Sequence, residues 1–179
     1  MTKKVLTLFF TILLLFVSLV ITSLSTYSQS EIEGTKVLYM LPYPGLLPDS
    51  PLYPLKTLRD HIIDAATRDS LQKAKLYLQL ADKRAAMALA LSQKNKSKLA
   101  IDTYTKGEKY LLKIPTLLAQ SKKQGVSPQS EFINTLKLST AKHREVGEIL
   151  LKQLSHGDIA AIQQAMKINS DTQMQLNKW

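Results

Sequence analysis

Apolar and polar positions follow two different patterns along this chain. Val5 to Leu24 is a run of about twenty uncharged residues that is apolar on every helical face, and Lys3 and Lys4 precede it. Such a run satisfies its backbone hydrogen bonds only as a helix inside lipid, and its length matches the hydrocarbon core of a bilayer. From residue 51 onward, apolar residues recur at spacings of three and four, which is typical of amphipathic helices.

The apolar run has two interpretations. Ser23 to Ser25 and Thr26 to Ser28 offer small residues at which a signal peptide is cut, whereas the length of the run favours an uncleaved anchor. We therefore assign residues 1–25 to a signal peptide or an N-terminal membrane anchor. Both interpretations place the rest of the chain outside the cytoplasmic membrane, membrane-anchored or secreted, because the leading lysines stay in the cytoplasm.

The periodic region predicts five helices joined by short turns, over residues 51–66, 70–93, 98–122, 128–154 and 158–175. Short turns make consecutive helices antiparallel. The predicted fold class is therefore all-α, with an N-terminal transmembrane or signal helix followed by an antiparallel bundle of four or five helices. The first helix of the bundle has an apolar stripe that we expect to be buried, formed by Leu52, Leu55, Leu58, Ile62 and Ala65.

Composition divides the rest of the chain into a spacer and a domain. Residues 26–40 are mostly polar and are predicted to be a flexible spacer, and residues 41–176 form the helical domain. Its lead-in, residues 41–51, is rich in proline, which excludes a helix before Ser50. We expect this lead-in to pack over the bundle as a lid with half-buried tyrosines. The alternative is a recognition surface that exposes Tyr43 and Tyr53 to a partner.

Two local signals mark helix starts. A serine followed by proline suits the first helical positions, so Ser50 and Pro51 predict a helix that begins at residue 51. Asp69 with Gln72 three residues later predicts a capped start for the next helix.

The lead-in carries a specific motif: Pro44, Gly45, Leu46, Leu47, Pro48, Asp49, Ser50, Pro51, Leu52 and Tyr53. This motif resembles the opening of a family of bacterial exported or membrane-anchored helical domains of unknown function. The resemblance extends over about residues 41–170, with weaker matches at residues 73–84 and 143–146. It implies an extracytoplasmic helical domain and no particular activity.

The net charge of +10 suggests an anionic partner. The densest cationic groups are Lys94, Lys96 and Lys98, followed by Lys122 and Lys123, although a solvated lysine-rich surface explains them more simply. Aromatic residues do not flank them as stacking on bases would require, so we expect no nucleic-acid partner. Residues 82–84, Asp-Lys-Arg, are interpreted as a solvated face.

Candidate chemistry is sparse. The sequence has no cysteine and no glycine-rich phosphate loop, nucleophile elbow or zinc-protease motif, so we expect a non-enzymatic domain without a cofactor. His61 and Asp64, three residues apart, are half of a metal site at most. His143 lies on an apolar helix face, which favours a hydrogen-bonded core residue over a metal ligand.

Three functional hypotheses follow. The first is a structural or protein-interaction role at the cell surface. The second is binding of an anionic polymer or lipid headgroups, which gains support if the fold brings the two lysine groups to one end of the bundle. The third is a metal-binding bundle around His61 and His143, which gains support if these two residues face each other with carboxylates nearby.

Overall fold

The computed structural model describes residues 37–153 and 159–179. Within these residues the fold contains five helices and no strand, which confirms the all-α class. We number the helices in chain order: α1 is Tyr53–Ala66, α2 is Ser70–Gln93, α3 is Ser97–Lys123, α4 is Ser130–Gln153 and α5 is Ile159–Leu176. Each boundary lies within two residues of the predicted one. None of these five helices is long and apolar enough to cross a membrane; the predicted membrane run, Val5 to Leu24, lies outside the described residues.

Helices α2 to α5 form a four-helix bundle. Helix α2 packs against α3 and α4, and α5 packs against the same two helices, so the order around the bundle is α2, α3, α5, α4. Helices α3 and α4 are consecutive in the chain but lie diagonally across the bundle. Helix α1 stays outside this arrangement.

The apolar core has two halves, one towards each end of the bundle. One half joins the start of α2 and α4 to the end of α3 and α5, and it includes Leu78, Leu111, Ile114, Leu136 and Leu176. The other half joins the end of α2 and α4 to the start of α3 and α5, and it includes Leu91, Ile101, Val146, Leu150 and Ile162. In each half, the start of one helix packs beside the end of the next helix in the chain. Consecutive helices therefore run antiparallel, as predicted.

Helix α2 begins where the sequence predicted, and α1 does not. The Asp69 carboxylate accepts a hydrogen bond from the Gln72 amide at 2.7 Å and caps α2. Helix α1 begins at Tyr53, two residues after Pro51, because the Tyr53 amide donates to the Ser50 carbonyl at 3.1 Å and closes a turn there. Pro54 rather than Pro51 occupies the first turn of α1.

The expected burial of the α1 stripe is wrong. Asp60 is the buried residue of α1, and the helix faces the bundle through its polar side. The four remaining helices already enclose the apolar core between them, so the stripe of α1 points outward. Its members are all exposed: Leu52, Leu55, Leu58, Ile62 and Ala65.

The lead-in packs on the bundle as a lid over part of its length. Leu41 and Leu47 contact the core half that contains Leu91. Two main-chain carbonyls of the lead-in, those of Pro44 and Leu46, accept hydrogen bonds from Lys56 Nζ at 3.1 Å each. Tyr53 is half-buried as expected, but Tyr43 is 84% exposed, so the expectation of a half-buried Tyr43 is wrong. Tyr43 borders a surface groove and does not insert into the core.

The end of the predicted spacer is also attached to the bundle. The Val37 amide donates to Glu145 Oε2 at 3.0 Å, and the Tyr39 hydroxyl donates to Asp82 Oδ2 at 2.6 Å. Residues 37–40 therefore belong structurally with the helical domain, whose compact unit begins at Val37.

Gly147 of α4 provides a test of the packing between helices. A Cβ atom built on it would lie 2.6 Å from the Tyr104 hydroxyl and 2.9 Å from Met166 Cγ. Tyr104 is fully buried and its hydroxyl donates to the His143 carbonyl at 2.9 Å, so it cannot move aside freely. We expect Gly147→Ala to lower the free energy of unfolding by about 1–3 kcal/mol, measured by chemical denaturation.

A double-mutant cycle with Tyr104→Phe identifies the cause. Removing the hydroxyl removes the shortest of these contacts, so Gly147→Ala should cost less in the Tyr104→Phe background than in the wild-type chain. Equal costs in both backgrounds would contradict this account.

Candidate functional site

A layer of polar and charged side chains separates the two halves of the apolar core. At its centre lies His143 of α4, which is fully buried. Its Nδ1 lies 2.7 Å from Glu108 Oε1 of α3, and its Nε2 lies 3.1 Å from Asp82 Oδ1 of α2. One imidazole therefore joins carboxylates from two neighbouring helices. We call the set Asp82, Glu108, His143 and Asn169 the ionic layer.

The remaining carboxylate oxygens of this layer also have partners. Asn169 of α5 donates from Nδ2 to Glu108 Oε2 and to the Thr140 carbonyl, at 3.0 Å each. Asp82 accepts hydrogen bonds from the Ser139 hydroxyl at 2.6 Å and from the Tyr39 hydroxyl at 2.6 Å. Each helix of the bundle thus supplies one member of the ionic layer, and Tyr39, which precedes the lead-in, supplies a further donor.

The carboxylates determine the charge of the histidine. Burial by itself would lower the pKa of His143, but the Glu108 charge and the hydrogen bonds from His143 to Asp82 and Glu108 outweigh it and raise this pKa to about 9. At neutral pH the ring is an imidazolium that donates from both nitrogens. The same environment acts on the nearby phenols: burial and the neighbouring carboxylates raise the pKa of Tyr39 and of Tyr104.

The three candidate metal ligands, His61, Asp64 and His143, do not lie together in the structure. His61 lies on the exposed part of α1, with Nδ1 2.7 Å from the Thr57 carbonyl, and Asp64 pairs with Lys73 at 3.2 Å. His143 is enclosed in the core. In residues 37–153 and 159–179 no three histidine or carboxylate side chains are grouped so that they could hold a metal ion.

The two lysine groups lie at opposite ends of one helix. Lys96 and Lys98 flank the start of α3, whereas Lys122 and Lys123 form its last turn. A helix of 27 residues is about 40 Å long. Lys94 and Lys96 also pair with Asp49 of the lead-in motif, at 3.3 Å and 2.8 Å. The fold therefore does not bring the two groups to one end, so the anionic-polymer hypothesis does not gain the support that such an arrangement would have given it.

Sequence reasoning identified His143 but missed its partners. Asp82 and Arg84 were interpreted as part of a solvated face, and this is wrong: both are buried. A signal was available, because Asp82 lies four residues after Leu78 and Glu108 lies four residues after Tyr104, each on the core face of its helix. A carboxylate at core spacing on two helices, with a histidine at core spacing on a third, indicates a buried ionic pair or triad.

The outward stripe of α1 continues into a concave surface. We call Leu52, Leu55, Leu58 and Ile62 the α1 apolar face. Its first two residues border a groove of about 500 Å³ between α1 and the lead-in. The remaining lining consists of Tyr43, Pro44, Gly45 and Leu46 of the lead-in with the cationic residues Lys56, Arg59 and Lys83. The motif at residues 44–53 therefore forms one wall of this groove as well as the turn before α1.

The fold and site define a class: a helical bundle that contains a buried ionic layer and is flanked by an amphipathic helix whose apolar side chains are exposed. Residues 45–175 match a family model described as a domain of unknown function, DUF5667. The match covers well over half of the 179 residues, and the chain belongs to this family. Comparison with curated proteins and with solved structures gave no significant match.

The ionic layer predicts a dependence of stability on pH. The pKa of His143 is about 9 in the folded chain and has its ordinary value of 6.5 when unfolded. Between these values the folded state binds a proton that the unfolded state lacks. The contribution of His143 is therefore complete below about pH 6.5 and is lost as the pH rises towards about 9. We expect the free energy of unfolding to fall in that window by up to about 1.4 kcal/mol per pH unit.

Denaturant unfolding of the full chain at pH values from 6 to 9.5 measures this slope. His143→Gln should abolish the slope and also lower stability, because the two carboxylates lose their shared cation. His61→Gln is the matched control and should preserve the slope. A slope that persists in His143→Gln would contradict the assignment to His143.

Proposed function

We propose that this domain is a non-enzymatic interaction module that works outside the cytoplasmic membrane and docks a partner protein on the α1 apolar face. The single observation that carries the proposal is the orientation of α1. Leu55 is 66% exposed, and Leu58 and Ile62 are 59% exposed each, although the helix has the apolar periodicity of a buried element. The extracytoplasmic location is supported by the two lysines and the apolar run at the start of the sequence.

Exposed apolar surface of this extent favours a contact. Burying one leucine or isoleucine side chain fully contributes about 1.5–3 kcal/mol, and three of them lie along one side of α1 at spacings of three and four. Contiguous apolar patches on protein surfaces mark interaction sites more often than isolated apolar residues do. The α1 apolar face is contiguous because its residues recur at spacings of three and four. Its first two residues also border the groove beside the lead-in.

The charges around the groove indicate the chemistry of the partner. Lys56, Arg59 and Lys83 line it, and none of the described lining residues is acidic. Arg59 is already paired with Asp60 at 2.7 Å, so Lys56 and Lys83 are the lining cations that no ion pair within the described residues engages. An apolar segment that carries acidic residues beside it would therefore match this surface in both hydrophobicity and charge.

The shape of the groove favours a protein over a lipid surface. A cavity of about 500 Å³ with Tyr43 and Leu46 on its rim can receive an inserted side chain. Interfaces between proteins concentrate their binding energy in such filled pockets, often beside tyrosine and arginine. A bilayer presents a broad surface and would leave the groove unfilled.

Photo-crosslinking in the native cells tests the proposal. A photoreactive amino acid replaces Leu58 in the full chain, and a second chain carries it at Leu138, an exposed apolar position of α4. We expect a discrete adduct with one other protein from position 58 and none from position 138.

Serine variants then test which surface binds. Leu55→Ser with Ile62→Ser should reduce the adduct at position 58 by about tenfold or more, because two apolar contacts are lost. The matched control, Leu138→Ser with Met174→Ser, removes two other exposed apolar residues elsewhere and should leave the adduct intact. Adducts with lipid alone, with a second copy of the chain alone, or with nothing would overturn the proposal.

A further inference from the structure

A second groove lies under the opposite side of α1. It has a volume of about 300 Å³, is open to solvent and is lined by residues of three helices. Helix α1 contributes Tyr53, Thr57 and His61, and α2 contributes Arg84. Helix α3 contributes Lys106, Lys109, Tyr110 and Lys113, which recur at spacings of three and four and therefore share one face. We call this the cationic groove.

Arg84 is an unusual component of this groove. It is only 8% exposed, so its guanidinium group is largely removed from water. It stacks on the Tyr110 ring at 4.5 Å from the centroid and donates from Nη1 to the Leu80 carbonyl at 3.2 Å. Its Nε is buried without a hydrogen-bond partner, and within the described chain Arg84 forms no ion pair.

A buried guanidinium normally pairs with an anion, because an unpaired charge away from water is costly. The cationic groove supplies no such anion: among the described residues that line it, none carries a carboxylate. Lys106, Lys109 and Lys113 add three further charges, and none of them is engaged in an ion pair within residues 37–153 and 159–179. The α2 and α3 backbones approach closely here because position 107 is glycine, whose added Cβ would lie 3.3 Å from Arg84 Cβ.

We propose that the cationic groove is a binding site for a phosphate group, with Arg84 as its buried anchor and Lys106, Lys109 and Lys113 as the charges at its mouth. The planar guanidinium fork matches the paired oxygens of a phosphate, and lysines bind phosphates as point charges. Four cations in one groove suit an anion that carries more oxygens and charge than a single carboxylate. The Tyr53 and Tyr110 rings provide a wall for an organic part of the ligand.

The proposed phosphate site is independent of the proposed partner protein. Tyr53, Thr57 and His61 line the cationic groove with residues of α2 and α3, whereas Leu55, Leu58 and Ile62 are exposed and do not line it. Substitutions in the two surfaces can therefore be made separately, and loss of one binding activity leaves the other open to measurement. The phosphate could belong to a free anion or to a phosphodiester such as a lipid headgroup, which share this chemistry.

Isothermal titration calorimetry on the full chain in a non-ionic detergent tests the site. The probes are inorganic phosphate, glycerophosphoglycerol as the soluble headgroup of an anionic lipid, and succinate as a dicarboxylate. We expect saturable binding of at least one phosphate probe and weaker binding of succinate. The triple variant Lys106→Gln, Lys109→Gln and Lys113→Gln should weaken phosphate binding by about tenfold or more, because charged hydrogen bonds are lost.

A matched triple variant separates a defined site from diffuse charge. Lys98→Gln, Lys122→Gln and Lys123→Gln remove the same charge outside the groove and should change binding by less than about twofold, since exposed charges at that distance are screened. Arg84→Lys, which keeps the charge but not the fork, should also weaken binding, with circular dichroism verifying that the variant is folded. If Arg84→Lys does not fold, the two triple variants still test the site, because their substitutions are at exposed lysines.

The results of these titrations either identify the kind of phosphate that binds or contradict the proposed site. Tighter binding of glycerophosphoglycerol than of inorganic phosphate assigns the groove to an organic phosphodiester, and the reverse order assigns it to the free anion. No saturable binding of either phosphate probe, equal binding of succinate, or an equal loss in the matched triple variant would each overturn the proposal.

Discussion

The bundle depends on one buried interaction, the contact of the His143 imidazolium with the carboxylates of Asp82 and Glu108. A buried ionic group gains little stability over apolar packing, but removing one partner leaves charges without compensation. The ionic layer therefore constrains where the four helices can lie relative to one another. Because each of the four bundle helices supplies one member, a shift of any helix along its axis would separate charges that cannot be hydrated. The two apolar halves on either side could tolerate a change of register far better, since their contacts are non-directional.

Closure of the apolar core by α2 to α5 determines which side of α1 is exposed. With the core closed by α2 to α5, helix α1 has no apolar surface left to pack against, and its polar side faces the bundle instead. This reversal creates two distinct surfaces from a single helix of 14 residues. The outward side is apolar and the inward side roofs a groove that is lined by cations. The lead-in motif supports both, because Lys56 of α1 holds the Pro44 and Leu46 carbonyls in place.

Much of this architecture follows from local sequence, and its exceptions have physical causes. The bounds of α2 were predictable from the Asp69 cap and the regular apolar spacing. The direction in which α1 faces could not be predicted. Apolar periodicity shows that a helix has an apolar side, but it does not show whether anything packs against that side. The burial of Asp82 and Arg84 was likewise missed because charged residues are mostly exposed. Their spacing on the core face carried the information, but only their partners on α3 and α4 show why burial is tolerable.

The attachment of Tyr39 to Asp82 has a mechanical consequence. The segment that connects the domain to the preceding residues is hydrogen-bonded directly to the ionic layer, near the middle of the bundle and not at one of its ends. Tension along that segment would act first on the bond from Val37 to Glu145 and next on the bond from Tyr39 to Asp82, whose loss would admit water beside the imidazolium. Displacement of residues 37–39 would therefore change the hydration of the buried charges as well as the position of the segment.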